Sequence, residues 1–310
     1  MVMGGKRYAG ARRRDRLRLK KGRWGERALA RGLAVILIIS AAAYVVNKLA
    51  GPGKKVEAPL EAVAAFQIPI KTLRELFYLS KKYDVYFPEL LTLYSVENGF
   101  YPAKTVSPVL ADLERQFIFN YEKIKGQYSE KELAPYYGVI AGILEDMKRF
   151  PVYDPAVTAA EAQTTSGAGY MYGDSWGGER AEQGGGTDIY DRENLRGRLH
   201  VLSATDGMVE KIGWNEAGGY HMGIRAPSGS YYYYAYFDSF ADELALGARI
   251  TAGQLLGYMG ASGGPGSLSQ VRLRFGISPA TSLKRDFWIN PYAFLRFLEE
   301  SGQWLALAAS

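Results

Sequence analysis

A chain of 310 residues that is 47% hydrophobic has material for two domain cores, but its net charge of +6 is concentrated at one end. Residues 1–31 hold twelve Lys and Arg against two acidic residues, and the remainder carries a net charge of −4, which excludes a broadly basic surface and a nucleic-acid partner. The absence of cysteine excludes a disulfide framework, a thiol nucleophile and any Cys-based metal site.

The basic tail leads into "GLAVILIISAAAYVVN", uncharged from Gly32 to Asn47 and bracketed by Arg31 and Lys48. Its sixteen residues fall short of the ~20 that cross a bilayer, and Ala28 to Ala30 with snorkelling flanking cations extend it. Residues 32–50 are therefore expected to be a single-pass anchor in the cell membrane. Positive charge before the span places residues 1–31 in the cytosol and the bulk of the chain outside. Ala41-Ala42-Ala43 also fits an A-x-A-like cleavage site, so a cleaved signal peptide is the alternative.

Residues 51–151 read as a small α-helical domain after a short linker, "GPGKKVEAPL". "IKTLRELFYLSKKY" places Leu73, Leu76, Phe77 and Leu79 at helical spacing, and "PELLTLYSVENG" runs from an N-terminal Pro to a C-cap at Gly99. "SPVLADLERQFIFNYEKIKGQY" and "ELAPYYGVIAGILEDMKRF" supply two more helices. A connector rich in small residues follows over 152–169. Residues 170–302 then alternate short apolar runs with Gly, Asn and Asp turns: "GMVEKIGW", "YHMGIR", "SYYYYAYF", "QLLGYMG" and "QVRLRFGI". "APSG" marks a hairpin, and "INPYAFLRFLEE" a closing helix before the tail 303–310. The fold class expected is α+β multidomain: a transmembrane helix, a small α-helical domain, and an all-β domain with a C-terminal helix.

The stretches "GTDIY", "ATDGMVEKIGWNEAGGYHMGIRAPSGSYYYYAYFDSF", "ARITAGQLLGYMG" and "VRLRFGI…INPY" occur in the order found in LytM/M23 zinc metallopeptidases. The resemblance covers roughly residues 170–298 and implies a hybrid-barrel-type antiparallel sheet whose groove holds peptidoglycan stem peptides. It also implies a zinc ion on a His-x-x-x-Asp pair and on the second histidine of a His-x-His strand, with further catalytic histidines. Here Asp188 keeps its place, but Gly184 stands at the first ligand position and Arg274 at the third. Arg272 and Tyr236 stand where the catalytic histidines belong. His200 and His221 have no partner at ligand spacing and read as ordinary strand residues.

No zinc or other cofactor, and no catalytic residue in the groove, is therefore expected. Arg274 is expected to pair with Asp188, in bidentate fashion, because an isolated buried carboxylate is costly. Alternation in "YYYYAYF" puts Tyr232, Tyr234 and Tyr236 on one face, as cross-strand packing or as an aromatic groove with Asp188, Arg272 and Arg274. Arg272, if left unpaired, is placed to take a stem-peptide carboxylate. A weaker echo lies in "SVENGFYPAKTVSP", which is similar to the Glu-Ser-x-Phe-x-Pro stretch of soluble lytic transglycosylases and offers Glu97 as a general acid, although that family's following Gly-Leu-Met-Gln signature is missing. The expected role is a catalytically degenerate cell-envelope protein that binds peptidoglycan stem peptides, or a protein of the wall, division or sporulation machinery. The alternative is an active hydrolase, either a metalloendopeptidase with unusual ligands or a Glu97-dependent glycan cleaver.

Overall fold

The computed structural model describes residues 55–57, 59–100, 113–157, 169–174, 185–263, 270–280 and 287–308. The anchor expected at 32–50 lies outside them, and no helix among the described residues is long and apolar enough to cross a membrane. Four α-helices precede the sheet: α1 (Ile70–Lys82), α2 (Phe87–Glu97), α3 (Leu113–Lys125) and α4 (Glu130–Asp146). Helix α1 is amphipathic, with Leu73, Leu76 and Phe77 buried at the spacing of one face. Helix α2 is buried nearly all round and packs on α1, α3 and α4. Such a central helix must satisfy its own hydroxyls, and Thr92 and Ser95 donate to the carbonyls of Pro88 and Leu91, both at 2.7 Å. It ends where Gly99 and Phe100 both take positive φ, +67° and +64°, and the Phe100 amide reaches back to Ser95 O at 2.9 Å. Helix α4 starts on a Ser129–Glu132 capping pair.

Ten strands form one antiparallel sheet: β1 (Val152–Tyr153), β2 (Tyr170–Tyr172), β3 (Thr187–Asp191), β4 (His200–Leu202), β5 (Gly207–Asn215), β6 (Gly219–Arg225), β7 (Tyr231–Phe240), β8 (Arg249–Ile250), β9 (Leu255–Met259) and β10 (Arg272–Ser278). The main path runs β1-β4-β9-β7-β10-β3-β2, with β6, β5 and β8 continuing from β7. The segment read as a connector thus opens with a strand at Val152, paired to β4. The Ala226–Gly229 hairpin is present, closed by Gly229 N to Ala226 O at 2.9 Å with Gly229 at φ +90°.

The last helix, α5 (Tyr292–Ala308), was expected to close the β half, but it also joins the N-terminal helices. Phe294 stacks on Phe66 at 4.6 Å, and Phe297 meets Phe77 and Phe87 at 5.3 and 5.1 Å. Its Glu299 accepts hydrogen bonds from Tyr170 and Tyr172 of β2. Hydrophobic side chains of the helices and of the sheet consequently belong to a single buried cluster.

A buried ion cluster links the residue after β1, at one end of the strand path, to β3 near the other end. Arg198 is held by Asp191 of β3 and by Asp154 just after β1, each at 2.6 Å, and donates to Gly169 O at 2.7 Å. Hydrogen bonds from both acids raise its pKa further, against the opposing effect of burial. The two ends of segment 155–168 are thereby pinned to one guanidinium. A Cβ at Gly169 would fall 1.9 Å from Asp154 Oδ2 and within 3 Å of the Arg198 guanidinium, so any side chain there must displace the ion cluster.

Candidate ligand groove

Strand β10 alternates sharply. Leu273, Phe275 and Ile277 are fully buried in the core, while Arg272, Arg274 and Gly276 face the other way. The register with β3 sets Arg274 across from Asp188 and Arg272 across from Tyr190. On the other side β7 sets Ala235 across from Arg274 and Tyr233 across from Gly276. Directly paired residues share a face, so Asp188, Tyr190, Arg272, Arg274 and Tyr233 line one surface of the sheet.

Arg274 Nη1 lies 3.3 Å from Asp188 Oδ1 and Arg272 Nε lies 3.6 Å from Asp188 Oδ2, with the three side chains 6–12% exposed. The expected bidentate pair is therefore replaced by a split one, in which each carboxylate oxygen meets a different arginine. Directly opposed side chains approach Asp188 from one side only, and the diagonal Arg272 takes the oxygen that remains. The Tyr190 hydroxyl also donates to Oδ2, at 3.3 Å. Arg272 is not left without an ion partner, but its Nε is buried with no hydrogen-bond partner among the described residues. Its guanidinium lies over the rings of Tyr236 at 4.9 Å and Tyr190 at 5.8 Å.

The tyrosine strand corrects the expected face. Tyr232 and Tyr234 are fully buried in the core against Phe275, and only Tyr236 reaches the arginines. Two facts of the fold produce this. Tyr232 and Tyr234 stand opposite the core residues Ile277 and Phe275, and Tyr236, at φ +72°, sits in a bulge that turns it out of the alternation. The Tyr234 hydroxyl accepts from Ala204 N at 2.9 Å, and burial raises the pKa of both phenols.

Tyr231, Tyr233 and Trp288 take the expected places, and sequence reasoning missed them. Trp288 lies edge-on to Tyr231 and Tyr233 at 6.3 and 6.0 Å. A Cβ on Gly276 would come 3.0 Å from the Trp288 ring, so this glycine next to the arginines makes room for an indole. Burial pushes the Tyr233 phenol up to about 12. The repeated strand–glycine alternation "RLRFG" was the available signal, but the identity of the ring lying over Gly276 was not local information.

The remaining candidates lie elsewhere. Gly184 falls outside the described residues. His221 shares the groove face but is separated from Asp188 by β10 and β7, three strand spacings or about 14 Å. It is buried with Nδ1 3.0 Å from Gly219 O. His200 packs between Tyr153 and Tyr258. Glu97 ends α2 half-buried, its carboxylate accepting from the Tyr128 hydroxyl. Pro102 of the same motif is outside the described residues.

Among the described residues no three His, Cys, Asp or Glu side chains gather in a metal-binding group. Zinc needs lone pairs from three or four such donors, whereas guanidinium offers only N–H donors and a positive charge. The side chains around Asp188 therefore do not fit a zinc ion. They fit an anion, or the flank of a peptide laid along aromatic rings.

Residues 185–284 match the model of peptidase family M23. The chain is 33% identical over 138 residues to the L-Ala–D-Glu endopeptidase of Bacillus subtilis (strain 168), a match over 42% of this chain and 41% of that protein. The chain thus spans about two-fifths of the length of this curated relative. A solved structure from Ruminococcus gnavus, described as a glycyl-glycine endopeptidase LytM, is 31% identical with a TM-score of 0.59 and is covered to 92% of its length. That likeness takes in 79% of this chain, more than the β half alone contains, so it extends into the helices. With its antiparallel sheet and these matches together, the chain belongs to peptidase family M23.

Proposed function

We propose that this chain is a membrane-anchored cell-envelope protein whose M23 domain binds wall peptide without hydrolysing it. The observation that carries this reading is the pair of guanidiniums on Asp188, at 3.3 and 3.6 Å, where the resemblance to active relatives puts a metal. A water molecule there has no Lewis acid to lower its pKa. Arg272, at the position of one assisting histidine, offers only N–H donors and no lone pair to take a proton, and Tyr236 puts a phenol where the other imidazole would stand. A peptide ligand is supported by the relatives, whose names describe endopeptidases of L-Ala–D-Glu and glycyl-glycine bonds. Residues 32–50 supply the anchor, residues 1–31 lie in the cytosol, and the helices and sheet stand outside, where wall peptide is found.

The test uses the full-length chain, zinc titration by calorimetry, and mass spectrometry of material released from isolated peptidoglycan. The expected result is no stoichiometric zinc, no soluble product, and retention of the protein on pelleted sacculi. Stoichiometric zinc with freed stem peptides would overturn the reading and restore a metallopeptidase. Products that vanish in Glu97→Gln would move the activity to the helical half. Absence of both products and retention would replace wall peptide by a protein of the division or sporulation machinery.

A further inference from the structure

Arg272 is an unusual residue in its own sheet. It is 6% exposed, yet its Nε has no hydrogen-bond partner among the described residues, and its approach to Asp188, at 3.6 Å, is too long for one. A buried guanidinium nitrogen without an acceptor is costly, and native structures rarely leave one. The same sheet shows what a satisfied arginine looks like: every guanidinium nitrogen of Arg198 donates, to Asp154, Asp191 or Gly169 O.

What Arg272 does have is orientation. Its position on β10 directs it to the groove face, and the rings of Tyr236 and Tyr190 hold the guanidinium. The Tyr236 ring is brought there by a backbone at φ +72°, a conformation that costs energy for a non-glycine residue. An arginine so held has its planar fork arranged before any ligand arrives, which lowers the ordering cost of binding.

From this geometry we infer that Arg272 is the receptor for a carboxylate group of the bound peptide, with Tyr190 and Tyr236 as its positioning residues. The choice of carboxylate over phosphate follows from Asp188. A fixed negative charge already stands 3.6 Å from the fork, and a dianion would meet twice the repulsion of a monoanion there. A planar two-oxygen group also matches one guanidinium edge in a way that a tetrahedral group does not. The inference rests on the non-hydrolytic reading given above and names the part of the ligand that reading leaves open.

The experiment titrates the full-length chain with the dipeptide L-Ala-D-Glu, with its diamide, and with inorganic phosphate, and analyses the peptide after each run. The free acid is expected to bind at least tenfold more tightly than the diamide. Arg272→Gln is expected to abolish that preference, and Arg272→Lys, which keeps the charge and loses the fork, to retain only part of it. Equal affinities of acid and diamide for the unaltered protein would overturn the inference even if both variants fail to fold. So would a tenfold preference that survives in folded Arg272→Gln, or phosphate binding as tightly as the dipeptide. Recovery of cleaved dipeptide would instead strike at the non-hydrolytic reading, while intact dipeptide bound without preference would strike only at Arg272.

Discussion

Strand β3 carries two aspartates three residues apart that point to opposite sides of the sheet, and their surroundings differ in kind. Asp191 is closed: with Asp154 it gives one guanidinium two buried carboxylates at 2.6 Å, and the Arg198 fork is saturated. Asp188 is open: two guanidiniums approach it at 3.3 and 3.6 Å, and one of them has a buried nitrogen without a hydrogen bond. The first arrangement joins β3 to the residue that follows β1. The second compensates one charge through two longer contacts. Ion pairs on one strand can thus differ in how fully they saturate their donors, and the distances and the acceptor supply distinguish them.

The largest effect should come from the closed cluster. Arg198→Ala leaves Asp154 and Asp191 buried without their cation and should cost about 3–5 kcal/mol in denaturant unfolding; a loss under about 1 kcal/mol would show that the staple is not the source of stability there. At the open cluster Asp188→Asn should cost less, about 1–3 kcal/mol, because the lost contacts are longer. The charge-free triple variant Asp188→Asn/Arg272→Met/Arg274→Met should recover part of that loss, since no guanidinium is then stranded. Equal losses for the single and triple variants would mean that Asp188 does not act as the counter-charge. Gly169→Ala places a methyl against Asp154 and Arg198 and should cost about 1–3 kcal/mol, read as a lower melting temperature.

The smallest effect is a pH dependence at the junction of the helices and the sheet. Asp146, at the end of α4, is held above the ordinary carboxylate range by burial, partly offset by hydrogen bonds from the Ser228 hydroxyl and amide. The folded state therefore keeps this proton more readily than the unfolded chain. Its contribution to stability is fully present below the ordinary carboxylate pKa and is lost as pH rises through the window just above it. Unfolding free energy measured across that window should fall for the unaltered protein and fall less for Asp146→Asn. An unchanged slope in the variant would assign the pH dependence to other groups.

Much of the β half was legible from local patterns. The alternation in "VRLRFGI", the Ala226–Gly229 turn and the tyrosine-rich strand each specify a strand or hairpin through a period of two and a few turn residues, and the structure has β10, β6 and β7 where those patterns lie. The residues at the positions of the resembled motifs were equally readable, because residue identity needs no coordinates. The face of the tyrosines was not. A single bulged residue, Tyr236, shifts the alternation, and nothing in "YYYYAYF" marks where a bulge falls.

What the chain's order of residues determined by itself is therefore the helices and the strands β5, β6, β7, β9 and β10, the family likeness, and the presence of arginines where the resemblance expects imidazoles. Tertiary structure alone decided which tyrosines are core, that Trp288 covers Gly276, that α5 returns to α1, and that Arg198 binds acids 44 and 7 residues away. The division has a physical cause. Backbone period and turn chemistry act over a few residues, whereas burial and charge compensation depend on strand register and on partners that only the folded sheet brings together.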